Sequence, residues 1–269
     1  MLLQKTALLL AFATVPALAA APLKMIFAKG ETLKYKVIVA STETNSFKGD
    51  TAEIKLTGSQ VMTMKVSAVS GGVATMSVGY TGATATATAT SLPPEMKKDK
   101  AKIEQAAANA LKAALSGGAR SQKVKSNGSA TYSIKAGEGQ TLTIEGGAFM
   151  MLVLPAGEPV LNKPYTVNIR QPMPGAPALP CTFKWVGNVT KNGKALRKIM
   201  VTMKQSKSDK QGELSISISE SASGYVLFDA GRGKVMEGVV DRTAKQTVKH
   251  ATQGTQTKNQ VSKQSFVKI

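Results

Sequence analysis

Catalysis needs groups that attack, transfer protons or hold metals, and this 269-residue chain has few of them: one histidine, one cysteine and 16 acids. The single histidine, His250, lies in a polar stretch near the C-terminus, so a Ser-His-Asp triad or a histidine-based metal site has little to build on. The acids are scattered over strand and turn positions without a paired motif. Trp185 is the one tryptophan, which leaves little surface for stacking a sugar beside a carboxylate pair. Cys181 has no neighbouring histidine or cluster of cations to activate it and reads as a core residue, and a lone thiol forbids an internal disulfide. The run Gly231-Arg232-Gly233-Lys234 lacks the full phosphate-loop spacing and leads into a strand pattern, so it reads as a hairpin turn. The expectation is a protein that is not an enzyme and carries no cofactor and no metal.

The methionines offer a softer chemistry. Met62 and Met64 share one face of a strand, and Met200 and Met203 fall in a matching region of the second half. Thioethers bind Cu(I), line pockets for flexible apolar ligands, or fill irregular cores. Core packing is the expectation. If the chain holds a pocket for a lipid or other amphiphile, the candidate lining is Met62, Met64, Ile103, Leu111 and Met200.

The N-terminus reads as an address. A basic start ending at Lys5, an apolar run over 6–18 and small residues at Ala17, Ala19, Ala20 and Ala21 form a secretory signal peptide over 1–19, with cleavage near Ala19. The apolar run is short for a membrane span, which needs about 20 residues. The protein is therefore expected to be secreted or periplasmic. Lys and Arg total 35, for a formal net charge of +19, and the leader removes only Lys5. Such a field attracts anionic envelope surfaces, whereas export argues against nucleic acid as a partner. The cations are dispersed singly, which also fits a lysine-rich solvated sheet face that resists aggregation.

These groups must be positioned by a mainly β scaffold. Leu33, Tyr35, Val37 and Val39 alternate with Lys34 and Lys36, the period-two signature of a half-buried strand. Further strands read over 52–56, 60–69 and 73–80, with Gly71-Gly72 as a hairpin turn. The Thr/Ala alternation over 83–90 reads as an extended edge or linker. Pro93-Pro94 breaks the pattern, and 95–115 reads as one amphipathic helix with Ile103, Ala107, Ala110, Leu111 and Ala114 on its apolar face. Strands resume over 130–135 and 141–145, and the run 148–154 is apolar enough to be fully buried. Tyr165, Val167 and Ile169 then echo Tyr35, Val37 and Val39, and Asn192-Gly193 echoes Gly71-Gly72. A weak duplication follows, with halves of about 28–147 and 148–242 and a polar tail or edge strand over 243–269.

Gly30 to Val37 fits a "G-E-x-x-x-Y-x-V" strand start, 155–167 a Pro-containing second copy, and Gly224 to Val235 a "G-Y-x-x-F-D-x-x-x-G-x-V" hairpin. On those elements the chain resembles a broad group of exported bacterial β-repeat proteins, with Lys163-Pro164-Tyr165 standing where that group carries Gly and an aromatic. The resemblance implies a curved, open half-barrel like that of the periplasmic lipoprotein carriers, with a sheet wrapped around helices over an apolar cavity. Two functions follow as expectations. One is a binding module that holds a lipid or amphiphile in a sheet–helix cavity, with lysines attracting an anionic head group. The other is a structural or interaction protein that docks on anionic envelope polymers or a protein partner. The sequence leaves the oligomeric state open.

Overall fold

The computed structural model describes residues 23–117, 120–136, 140–147, 152–155, 157–169, 178–250, 252 and 254–269. The expected leader and most of the apolar run 148–154 lie outside the described residues. Twelve strands and one helix make up the described chain. The first half runs β1 (Thr32–Phe47), β2 (Asp50–Ser70), β3 (Val73–Ser91), a 3-10 turn (Pro94–Asp99), α1 (Lys100–Leu115), β4 (Arg120–Lys125), β5 (Ser129–Ala136) and β6 (Gln140–Gly147). The second runs β7 (Pro164–Ile169), β8 (Leu179–Lys191), β9 (Lys194–Gln211), β10 (Leu214–Asp229), β11 (Lys234–His250) and β12 (Gly254–Lys268).

All pairings are antiparallel, in the order β6-β5-β4-β3-β2-β1-β12-β11-β10-β9-β8-β7. Strands joined by tight turns lie side by side; β3 and β4 also pair although helix α1 stands between them in the chain, whereas β6 and β7 do not. Gly71-Gly72 and Asn192-Gly193 all have positive φ, which matches the right-handed twist of the strands they join. The first and last strands meet as β1 and β12, so β6 and β7 become the two edges and the sheet stays open. It is strongly curled: the Tyr35 hydroxyl on β1 reaches past β12 and donates to the Val235 carbonyl on β11 at 3.0 Å.

Two expectations are resolved here. The Thr/Ala run is not a linker but an edge stretch at the end of β3, paired to β2 alone through Ala85–Gly58, Ala87–Leu56 and Ala89–Ile54, since β4 pairs only with Val73–Val78. Its period of two places alanines on one face and threonines on the other. The polar C-terminal stretch is neither an edge strand nor a tail: it completes β11 and forms β12, which pairs on both sides. Its sequence looks like an edge because its neighbours on the open part of the sheet are polar on both faces.

One end of the curl is filled and closed. Leu33, Tyr35, Met64, Met76, Val124, Cys181, Phe183, Ile199, Val226, Phe228 and Val235 form a single buried cluster drawn from β1 through β4 and β8 through β11. Tyr35 packs edge-on against Phe266, with ring centroids 6.1 Å apart. Burial, and secondarily the charge of Glu31, hold the Tyr35 hydroxyl well above its ordinary pKa. The chain itself caps this end. Met25 N–H donates to Ser126 (2.5 Å), Ile26 N–H to Gly233 (3.1 Å) and Leu154 N–H to Asn127 (2.6 Å), so 23–27 and 152–154 lie across the hairpin turns. Leu23, Met25, Leu152 and Leu154 are buried there.

The sequence motifs explain how that cap is held. Asp229 accepts from Arg232 N–H at 3.0 Å and shapes the β10–β11 turn, which presents Lys234 to Glu31 at 2.6 Å and to the Ile26 carbonyl. The same ammonium sits 5.1 Å from the Phe27 ring centroid. The Gly-Glu strand start and the late hairpin are therefore two halves of one clasp. Lys234, the cation of the loop that superficially resembles a phosphate loop, is occupied by this clasp.

Candidate functional site

The inner face can be followed along rows of paired residues. The row Trp185, Ile199, Val226, Gly238, Phe266, Val37 and Gln60 crosses from β8 to β2. Gly238 is required in it: a Cβ there would run into the Phe266 ring. The next row toward the open end is Tyr165, Phe183, Val201, Gly224, Val240, Gln264, Val39, Gly58 and Ala85. Beyond it the chemistry of the inner face changes.

The following rows read Cys181, Met203, Ala222, Arg242, Ser262, Ser41, Leu56 and Ala87, then Glu220, Ala244, Gln260, Glu43, Ile54 and Ala89. A polar stripe thus runs along β11, β12 and β1, between apolar walls. Its charges are matched: Arg242 meets Glu220 at 2.6 Å, and Lys258 meets Glu43 at 3.1 Å. Gln205 donates to Glu220 at 2.8 Å and Gln260 to Glu43 at 3.0 Å. Farther out, β10 turns Leu214, Ile216 and Ile218 inward, opposite His250, Val248 and Gln246 of β11. None of these aliphatic residues is buried, and Ile218 is 39% exposed.

The open trough exists because the wall is incomplete. Strands β4, β5, β6 and β7 have six to eight residues; β4 to β6 serve only the closed half, and β7 ends at Ile169, paired with Leu179 just past it. Strands β9 to β12 and β1 to β3 have 15 to 21 residues and continue beyond it. Helix α1 covers one flank of the extension. A Cβ on Gly58 would meet Leu115 Cδ1 at 2.5 Å and Leu111 Cδ2 at 3.1 Å, so the helix rests directly on the missing side chain. Glu104 accepts from Ala89 N–H at 2.8 Å, satisfying a backbone donor on the stretch of β3 that β4 does not reach.

The sheet-facing stripe of α1 is Ile103, Glu104, Ala107, Ala108 and Leu111, all half-buried, and the buried Leu115, whereas Ala110 and Ala114 are exposed. The expected face is thus rotated, because Leu115 buries more area than Ala114 and Glu104 must reach the strand edge. Of the expected pocket lining, Met64 lies in the closed core and Met62 packs against it. Ile103 and Leu111 face β2 and β3 from the helix. Met200 pairs with Lys184 and Tyr225 on the outer face, opposite to Met203, since neighbours along a strand alternate. The five residues do not converge on one pocket, and the space between helix and sheet at Gly58 is filled.

The two reactive side chains are also placed. Cys181 is fully buried, and burial, then the charge of Glu220, push its thiol up to about 11. His250 ends β11, with Nδ1 3.0 Å from the Thr252 hydroxyl. Two inward polar atoms at the boundary, Gln60 Oε1 and the Tyr165 hydroxyl, lack a hydrogen-bond partner among the described residues. Tyr165 stacks on Phe183 at 5.4 Å, and burial raises the pKa of its hydroxyl. Among the described residues no helix is long and apolar enough to cross a membrane.

No family model matches the chain, and no curated protein matches it. Among solved structures, lipovitellin, in a study of lipid–protein interactions, is similar over 91% of this chain and 25% of that one, at 8% identity and a TM-score of 0.48. The chain thus spans about a quarter of the lipovitellin chain. The β domain of the Bordetella autotransporter BrkA is similar over 86% of this chain and 98% of that one, at 8% identity and a TM-score of 0.23. At these scores neither likeness bears on function.

Proposed function

We propose that this is an exported, non-catalytic envelope protein that binds a lipid or other amphiphile in the open trough of its half-barrel. The observation that carries the reading is the change along the inner face, from a filled core to a polar stripe between aliphatic walls. A polar head group fits the stripe of Glu43, Lys258, Gln260, Arg242 and Glu220, where every charge already has a partner. An acyl chain fits against Ile216, Ile218 and Val248, whose apolar surface otherwise faces water. The seat lies beside helix α1, since Leu111 and Leu115 fill the space at Gly58. The matched charges favour a neutral or zwitterionic head group over an anionic one. The buried thiol and the occupied histidine fit a non-catalytic role.

The test is native mass spectrometry of the mature protein purified from its own exported compartment, followed by organic extraction and identification of lipids. The expected result is an N-terminus near Ala20 and a stoichiometric amphiphile. A protein that stays apo, and that shows no saturable uptake of a fluorescent fatty acid after delipidation, overturns the reading.

A further inference from the structure

We propose that the convex outer face of the strand pair β1–β12 docks this protein on an anionic lipid bilayer. The trough reading plays no part in this: the two faces are opposite sides of the same strands, and their residues are different ones.

The outer face alternates out of phase with the core. On β1 it carries Lys34, Lys36, Ile38 and Ala40, on β2 Lys55, Val61 and Lys65, and on β12 Val261, Lys263 and Val267. Ile38 is 40% exposed, Val261 56% and Val267 38%, although all three stand at the middle of the sheet and not on an edge. Val267, opposite Lys36, is diagonal to Ile38, opposite Ser265, and Val261, opposite Thr42, lies on the same face beyond the Ala40–Lys263 pair. Lys34, Lys36, Lys55 and Lys65 flank this patch on its β1–β2 side and meet no acid within ion-pair distance among the described residues, while on the β11 side Glu237 and Asp241 stand opposite Val267 and Lys263. Between the aliphatic residues and the lysines lies a shallow depression of about 290 Å³, lined by Ala40, Thr42, Lys55, Thr57, Val261 and Lys263. Asp241 also borders it and pairs with Lys263 at 3.8 Å.

Unpaired lysines alone would suit any polyanion. The exposed aliphatic residues decide between partners: a charged polymer would leave Ile38 and Val261 in water, whereas a bilayer offers phosphates to the lysines and hydrocarbon to the aliphatic side chains. Curvature agrees, since the centre of a convex sheet touches a flat surface first. The chain's net charge of +19 supplies long-range attraction, and the four lysines supply the local attachment.

The test is co-sedimentation of the mature full-length protein with vesicles of phosphatidylcholine alone and of phosphatidylcholine mixed with phosphatidylglycerol. Strong binding is expected only to the mixed vesicles, falling as salt rises. Each lysine at an anionic surface multiplies binding about five-fold. The combined variant Lys34→Gln, Lys36→Gln, Lys55→Gln and Lys65→Gln should therefore bind about 600-fold more weakly. A control with Lys97→Gln, Lys98→Gln, Lys102→Gln and Lys112→Gln removes the same charge from the helical region and should keep most of the binding. Ile38→Ser with Val261→Ser should weaken binding and leave its salt dependence intact. The salt titration of the unaltered protein stands even where a variant folds poorly. Equal binding to both vesicles, no binding, or equal loss in the two lysine variants overturns the proposal. So does binding that the Ile38→Ser, Val261→Ser pair leaves unchanged while polyphosphate competes it away, which would assign the face to a polymer.

Discussion

The closed and open halves of the curl are built from the same strands in the same phase, yet one is a core and the other a trough. On β1 the inward series is Leu33, Tyr35, Val37, Val39, then Ser41 and Glu43. On β10 it runs the other way, from Leu214, Ile216, Ile218 and Glu220 to Ala222, Val226 and Phe228. The phase tells which way a side chain points, not whether anything covers it. Cover comes from the number of strands at each level and from the cap over 23–27 and 152–154. Where cover is complete, an inward acid would have to shed its water at a cost of several kcal/mol, so none is found among the core positions named above. Where it is partial, Glu43 and Glu220 keep water and a partner.

The largest effects should therefore fall in the closed half. Phe183→Ala removes a ring that is fully buried and stacked on Tyr165, and should cost about 3–5 kcal/mol in urea unfolding. A cost below about 1 kcal/mol would mean the closed half is no more tightly packed than the trough, and the comparison would fail. Next comes Gly224→Ala, at the boundary row. A Cβ there would run into the Val239 carbonyl oxygen, a backbone atom that cannot move aside without parting β10 from β11. Overpacking of this kind costs about 1–3 kcal/mol or more. Faster amide exchange should appear on β10 and β11 and leave α1 protected. Protection lost equally at α1 would show that the two flanks of the trough are one cooperative unit.

Much of this frame was legible in the sequence, for physical reasons that can be named. The alternation from Leu33 to Val39, the turn glycines and the Pro93-Pro94 break act through local sterics and side-chain period, and they specify the β class, the hairpins and the helix. The place of 243–269 was not legible, because pairing of β12 with β1 joins residues more than 200 positions apart and depends on where the curl brings the first strand. Met200 was misplaced for a different reason: Met200 and Met203 differ by three positions, an odd number, so a strand must put them on opposite faces. The trough did leave a signal. Glu43 continues the phase of Leu33, Tyr35, Val37 and Val39, and Glu220 that of Phe228, Val226 and Ala222. A charge in step with a core marks the level at which cover ends.

A smaller effect sharpens the comparison through pH. Cys181 stands at the boundary, and burial raises its thiol from 9.0 to about 11. The folded state then holds the proton more tightly than the unfolded chain. Stability is unaffected at neutral pH and declines as pH rises from about 9 to 11, by at most about 2 kcal/mol. Cys181→Ala should flatten that part of the decline. Thiol reagents at neutral pH should label the native protein only as fast as it opens. Rapid native labelling would place Cys181 in the open trough and move the boundary toward the closed end.

The smallest change in stability should come from the wall of the trough, and it is the most informative because two readouts must part company there. Ile218 is 39% exposed, so Ile218→Ser should lower stability by no more than about 1 kcal/mol. If an acyl chain covers that side chain when bound, the serine forfeits apolar burial worth again about 1 kcal/mol, which is read as roughly five-fold weaker binding of a fluorescent fatty acid. Phe183→Ala, measured at a temperature where it remains folded, should bind nearly as well as the unaltered protein. A core residue thus carries stability without affinity, and a wall residue affinity with little stability. Weaker binding at both sites would mean that affinity tracks folding alone. Unchanged binding in Ile218→Ser would take β10 out of the seat and leave the flank beside α1, at Ile54 and Leu56, as the wall that holds the chain.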